Sequence, residues 1–171
     1  MIPLYHESDI DFSFPEHWHP IQYDKCEPYK SMIMPLQNAC AVDFLCCCEN
    51  RLILMEVMRF KEKTFDDPEW VINKISTQVK DTIFGLAIFH LKEEPAMEKY
   101  TQALFNKFPA AEQPKLNVFL EIDNDLKGLA PDKVKADILD KLRKRFGPLG
   151  FVVRVLDSHN IDRMPWTANV K

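Results

Sequence analysis

The stretch Cys40–Phe60, CAVDFLCCCENRLILMEVMRF, constrains this chain more than any other. Two apolar runs flank the polar pair Glu49-Asn50, which predicts strands over 40–48 and 51–59 joined as an antiparallel hairpin in the middle of a sheet. Side chains on a strand repeat every two residues. Leu52, Leu54, Glu56 and Met58 therefore share one face, and Asp43 lies with Ala41, Leu45 and Cys47. Asp43 stands six residues before the turn and Glu56 six after it. A symmetric turn sets them opposite each other, about 5 Å apart at Cβ.

Both acids thus project from apolar stripes. An ionised carboxylate there is costly unless it finds a cation, a hydrogen bond or water. Two carboxylates that close also repel, and a divalent cation relieves the repulsion. The plainer alternatives are an ion pair with Lys or Arg, or a place at the open end of the sheet.

Around the hairpin the chain reads as one α/β domain over 1–171, with an irregular N-terminal wrap over 1–38 and a core over 39–171. Pro3, Pro15, Pro20, Pro28 and Pro35 exclude a long helix from the wrap and leave short edge strands and turns. Asp67 and Pro68 cap and open a helix, with Glu69 at the positive end of its dipole. Apolar residues at Val71, Ile72, Ile75, Val79, Ile83, Leu86 and Ile88 carry it to about Leu91. Its second half, TIFGLAIFHL, is apolar nearly all round, which predicts burial on more than one side, His90 included. A shorter helix follows over about 95–107, then a strand over 115–122. Pro131 opens another helix, which Gly147-Pro148 ends, before a strand over 151–157. This order predicts a mixed central β-sheet with helices on both faces.

Several function classes drop out. With a net charge of −4, any polyanion-binding surface must be local. No apolar run approaches the roughly 18 residues a membrane span needs. The opening MIPLYHESDIDFSFPEH lacks the order of a signal peptide. Cys46, Cys47 and Cys48 alternate faces on a strand and cannot converge on one metal; they read as buried apolar residues in a reducing, cytoplasmic setting. Only four glycines are present, no phosphate-cradling loop is among them, and there is no G-x-S-x-G. His17 and His19 could share a face around a metal, but no third ligand is suitably spaced, so they read as structural or surface residues. Lys141, Arg143, Lys144 and Arg145 suit a helix C-terminus, the alternative being contact with a phosphate backbone. Glu121, Asp123 and Asp125 read as an acidic loop rather than a second metal cluster.

The segments AVDF (Ala41–Phe44), LMEVM with Glu56 and Val57, and QVKDT (Gln78–Thr82), with the upstream QYDK that contains Asp24, resemble the PD-(D/E)XK restriction-endonuclease-like superfamily, among its small bacterial members. The likeness covers roughly residues 20–90, and the remainder by element order alone. It implies a restriction-endonuclease-like fold and a Mg²⁺ or Mn²⁺ ion held by Asp43, Glu56 and the Val57 carbonyl. Such a metal lowers the pKa of a bound water and stabilises charge on a scissile phosphate. The family lysine that orients this water falls at Met58, which has no charge and no donor. Three explanations stand: a substitution that stops cleavage, a natural pseudo-nuclease retained for binding, or a lysine reaching in from elsewhere. Lys61 and Lys63 follow the strand, and Lys74 and Lys80 lie on the next helix. Lys80 and Lys61 are the candidates for the base, with Gln78 supporting the site. The expected function is a metal-dependent nuclease acting on DNA, or RNA. The alternative is an inactive nuclease-like binding or regulatory subunit. The resemblance also points to a partner protein in a bacterial defence system, and the short chain to that or a homodimer.

Overall fold

The structure is a computed structural model that describes residues 3–36, 39–60, 67–105, 113–122 and 130–171, with Arg163 in its backbone alone. In chain order its main elements are β1 (Leu4–Glu7), β2 (Ile10–Ser13), β3 (Ile21–Gln22), β4 (Phe44–Cys48), β5 (Arg51–Phe60), α1 (Pro68–Leu91), α2 (Glu98–Phe105), β6 (Lys115–Ile122), α3 (Pro131–Phe146), β7 (Val152–Leu156) and β8 (Thr167–Val170). The large sheet has the order β3-β4-β5-β6-β7, and β1-β2-β8 form a second, three-stranded sheet. β3, β4 and β5 pair antiparallel, whereas β5, β6 and β7 pair parallel. The α/β class and the mixed sheet agree with the sequence reading.

The hairpin turn is symmetric. Glu49 and Asn50 both take left-handed φ values, 50° and 60°, as the two-residue turn that matches strand twist requires. Pairing then runs from Cys48–Arg51 to Phe44–Met55 without a slip. Continued by one residue, the same register sets Asp43 opposite Glu56.

The expectation of helices on both faces is corrected. Leu45, Leu54, Met58, Leu116 and Val118 of the large sheet share one core with residues of all three helices, such as Ile75, Ala103 and Ile138. The opposite face, with Phe44, Ile53, Met55 and Phe119, packs on Ile10, Phe12, Phe14 and Trp166. The small sheet is its cover. Successive crossovers β5→β6→β7 step the same way across the sheet, and crossovers of one hand moving in one direction lay their helices on one face. The bare face is then closed by the two chain ends. The wrap over 1–38 holds the short strands β1, β2 and β3 between its prolines, with β1 and β3 at sheet edges, as the sequence reading expects.

The second half of α1 is also less enclosed than its composition predicts. Phe84 and Leu91 are exposed, and His90 is exposed and stacks on Phe105 at 5.0 Å. With the sheet on one side only, α1 buries one stripe. None of the described helices is long and apolar enough to cross a membrane.

α1 is pinned at both ends. Asp67 accepts the Glu69 amide at 2.8 Å as its N-cap. Further along, Gly85 meets the buried Tyr23 ring so closely that an added Cβ would lie 2.6 Å from Tyr23 Oη and 3.3 Å from Ile33 Cγ1. That ring is wedged between Tyr29 and Phe89, with centroids at 5.2 and 6.5 Å, so it cannot withdraw. Gly85→Ala is expected to cost about 1–3 kcal/mol through overpacking, more than the helix propensity gain of up to about 1 kcal/mol. Thermal denaturation checks this; an unchanged or higher Tm would show that Tyr23 yields.

Candidate functional site

The β4–β5 ladder stops where the two acids meet. In a two-residue hairpin the residue pairs alternate between bonded and non-bonded, and after Phe44–Met55 the next bonded pair would be Val42–Val57. It does not form. The Val57 amide donates to Asp43 Oδ2 at 2.7 Å, and the Val42 amide donates to Thr82 Oγ1 at 3.1 Å. Beyond Phe44 the strands therefore part, and the Asp43 carboxylate fills the opening. The N–H and C=O of one residue leave a strand on the same side, so the Val57 carbonyl also faces the Asp43 side.

Helix α1 holds the departing chain. Asp81 accepts the Cys40 amide at 3.0 Å, and Gln78 Nε2 donates to the Ala41 carbonyl at 3.1 Å. With Thr82, the QVKDT segment thus binds the backbone of residues 40–42. Gln78 thus grips the segment just before β4, in which Asp43 lies. On the other side, the Tyr23 amide donates to the Asp43 carbonyl at 2.8 Å, which brings the following residue, Asp24, alongside.

Four carboxylates gather here. Oxygens of Glu7, Asp24 and Asp43 lie within 4.8 Å of one another, and the carboxylate of Glu56, 1% exposed, bears on that of Asp43. Glu56 Oε2 and Asp24 Oδ1 have no hydrogen-bond partner among the described residues. Burial pushes Asp43 up to about 7, with the Val57 amide opposing it and Glu7 and Asp24 adding repulsion. Burial first, then the charge of Asp43, raises Glu56 well above the ordinary carboxylate range. Burial likewise raises Asp24.

Two ammonium groups answer them. Lys25 Nζ donates to Glu7 Oε2 at 2.7 Å. Lys74 Nζ stands 3.7 Å from Glu56 Oε1 and 5.9 Å from the Trp70 ring centre. Four carboxylates against two ammonium groups leave a deficit of two positive charges, which one divalent cation or two protons can make good. The orphaned oxygens fit an oxygen-seeking cation, for which carboxylates are the preferred ligands.

Of the two helix lysines, Lys74 and not Lys80 stands beside Glu56. Lys74, Gln78 and Thr82 follow one another at intervals of four, one row along α1, whereas Lys80 is two residues out of phase and exposed. Lys61 and Lys63 lie outside the described residues, as do Asp123 and Asp125. Met58 is 5% exposed and belongs to the core beneath the helices. It also lines a groove of about 290 Å³ with Ser8, Val57, Arg59, Phe60, Trp70 and Lys74. Two of its lining residues touch the acids, Val57 through its amide to Asp43 and Lys74 through its ammonium beside Glu56.

The remaining candidates are placed elsewhere. Lys141 pairs with Asp137 and Glu69, Lys144 with Asp140, and Arg145 with Glu69, as a helix terminus tied to α1 requires. Glu121 accepts from the Ser158 amide and hydroxyl. His17, His19 and Cys47 line one pocket, but among the described residues only Glu7, Asp24 and Asp43 bring three ligand atoms together. Lys74 was not separable from Lys80 by sequence, because the rotation of α1 over the sheet is set by packing. Glu7 and Lys25 were not legible either, because their place depends on how the small sheet docks. No protein-family model, curated protein or solved structure matches the chain.

The raised carboxyls make stability depend on pH. Between its ordinary pKa of 3.8 and about 7, Asp43 keeps a proton in the folded protein that the unfolded chain has released. Its contribution to stability is therefore complete below this window and lost as pH rises through it, at up to about 1.4 kcal/mol per pH unit. In EDTA, Tm is expected to fall between pH 5 and 7. Asp43→Asn should flatten that slope, and saturating Mn²⁺ should abolish it. A wild-type Tm that rises over this range would overturn the assignment.

Proposed function

We propose that the chain is a Mg²⁺- or Mn²⁺-dependent nuclease-type domain with a restriction-endonuclease-like arrangement, acting on DNA phosphodiesters. The observation that carries this reading is the meeting of Asp43 with a buried Glu56, whose Oε2 lacks a partner among the described residues, at the point where the hairpin opens. An antiparallel hairpin continued by two parallel strands, with the acids at its diverging end, supports the same arrangement. Asp43, Glu56 and the Val57 carbonyl would hold the cation. Bound there, it would supply an activated water and offset charge on the phosphate.

The chain's own residues have separate tasks. Asp43 holds the Val57 amide and thereby aims the neighbouring carbonyl. Gln78 keeps the Asp43 segment against α1. Lys74 takes the part for which Met58 has no chemistry. Its ammonium is close enough to Glu56 to orient a water and to balance a phosphate, and it arrives from the helix instead of from the strand. The exposed Trp70 ring and Arg59 border the groove along which a strand would lie.

Met58 favours a second reading, a catalytically inactive nuclease-like subunit that binds nucleic acid or a partner protein. Cleavage of plasmid DNA and of RNA with Mn²⁺ separates the two. The wild type is expected to cut DNA, and Glu56→Ala to cut nothing. Lys74→Ala should lose at least about 10²-fold, the usual scale for removing a group that handles a proton. Adding Met58→Lys to Lys74→Ala should restore cutting. If the wild type is inert and Met58→Lys stays inert on both substrates, the inactive reading replaces the nuclease.

A further inference from the structure

The small sheet contributes to the site as well as covering the core. β1 ends at Glu7, and the next residue, Ser8, lines the groove beside Met58. The strand is held there by the edge of the large sheet, since Gln22 Nε2 donates to the His6 carbonyl at 3.0 Å and Tyr5 Oη donates to the Pro20 carbonyl at 3.1 Å. Glu7 thereby reaches Asp24, just after β3, and Asp43, just before β4, both strands of the other sheet.

We propose that Glu7 and Asp24 are cation ligands together with Asp43, so that a hard divalent cation, Mg²⁺ or Mn²⁺, binds across the seam between the two sheets. This deepens the cation-dependent reading above and rests on it. The three oxygens lie within 4.8 Å of one another. Ligand oxygens around such an ion, with bonds of about 2.1 Å, stand about 3–4 Å apart, so small side-chain rotations close the set. Glu56 adds a second observation, because its carboxylate bears on that of Asp43, is 1% exposed and keeps Oε2 without a partner among the described residues. A second carboxylate oxygen, Asp24 Oδ1, is orphaned as well.

Lys25 occupies the place of the cation's charge in its absence. Its ammonium bonds Glu7 Oε2 at 2.7 Å, with 48% of the side chain still open to solvent. It can swing out when a divalent ion arrives. The cation then replaces a monovalent tie by direct bonds, and it fixes the β1–β2 turn at the groove's rim. Without residues 4–13 the site is incomplete.

Mn²⁺ binding to the full chain, read by the electron-spin-resonance signal of free Mn²⁺, tests this. Glu7→Gln and Asp24→Asn are each expected to weaken binding at least tenfold, with circular dichroism showing the fold retained. Lys25→Met is expected to tighten it severalfold, a gain that unfolding cannot produce. If Glu7→Gln and Lys25→Met bind like the wild type while Glu56→Gln loses the ion, the seam site is overturned and the Asp43–Glu56 reading stands. If Glu7→Gln loses the ion and Glu56→Gln does not, the seam site stands and the nuclease-type reading falls. A wild type that binds no Mn²⁺ overturns both.

Discussion

The open end of the hairpin depends on one hydrogen bond, from the Val57 amide to the Asp43 carboxylate. A buried amide must be satisfied, and where β4 leaves β5 there is no ladder partner for this one. The carboxylate takes the partner's place. A hydrogen bond to a charged group contributes about 1.5–3 kcal/mol, while desolvating a carboxylate costs several. The bond alone therefore does not compensate the burial of Asp43. The remainder must come from Lys25 and Lys74, from protons, or from a cation. The geometry that opens the hairpin is the same one that leaves it short of positive charge.

Under the proposed nuclease-type reading, handling a proton and balancing a phosphate would call for an ammonium near Glu56, whatever element it comes from. A lysine at position 58 would stand on the same strand face as Glu56. Lys74 comes instead from α1, one helical row from the Gln78 and Thr82 that already grip the strand, and it keeps 41% of its side chain open to solvent. Met58 itself lies in the core cluster that holds Leu54 and Leu120.

Most of the fold was legible because it is local. The Glu49-Asn50 turn, the strand over 115–122, the Asp67–Pro68 helix start and the Pro131 start each follow from a few neighbouring residues, and the structure places them where those residues indicate. The error over helix layers had a different origin. Periodicity shows that an element buries one face, not which layer receives it. The direction of two successive crossovers decided that. So did the docking of β1, β2 and β8, brought together from opposite ends of the chain. His90, Phe84 and Leu91 were misjudged for the same reason, since their burial depends on neighbours that α1's own pattern does not contain.

At the site the division is equally clear. The symmetric spacing of Asp43 and Glu56 about a two-residue turn determines that they face each other, because side chains alternate on a strand and the turn permits no slip. Only the tertiary structure decided that Lys74 and not Lys80 meets Glu56, since a helix's rotation over a sheet is set by packing. It alone brought Glu7, Asp24 and Lys25 to Asp43, because those contacts cross between two sheets whose relative placement no local pattern encodes.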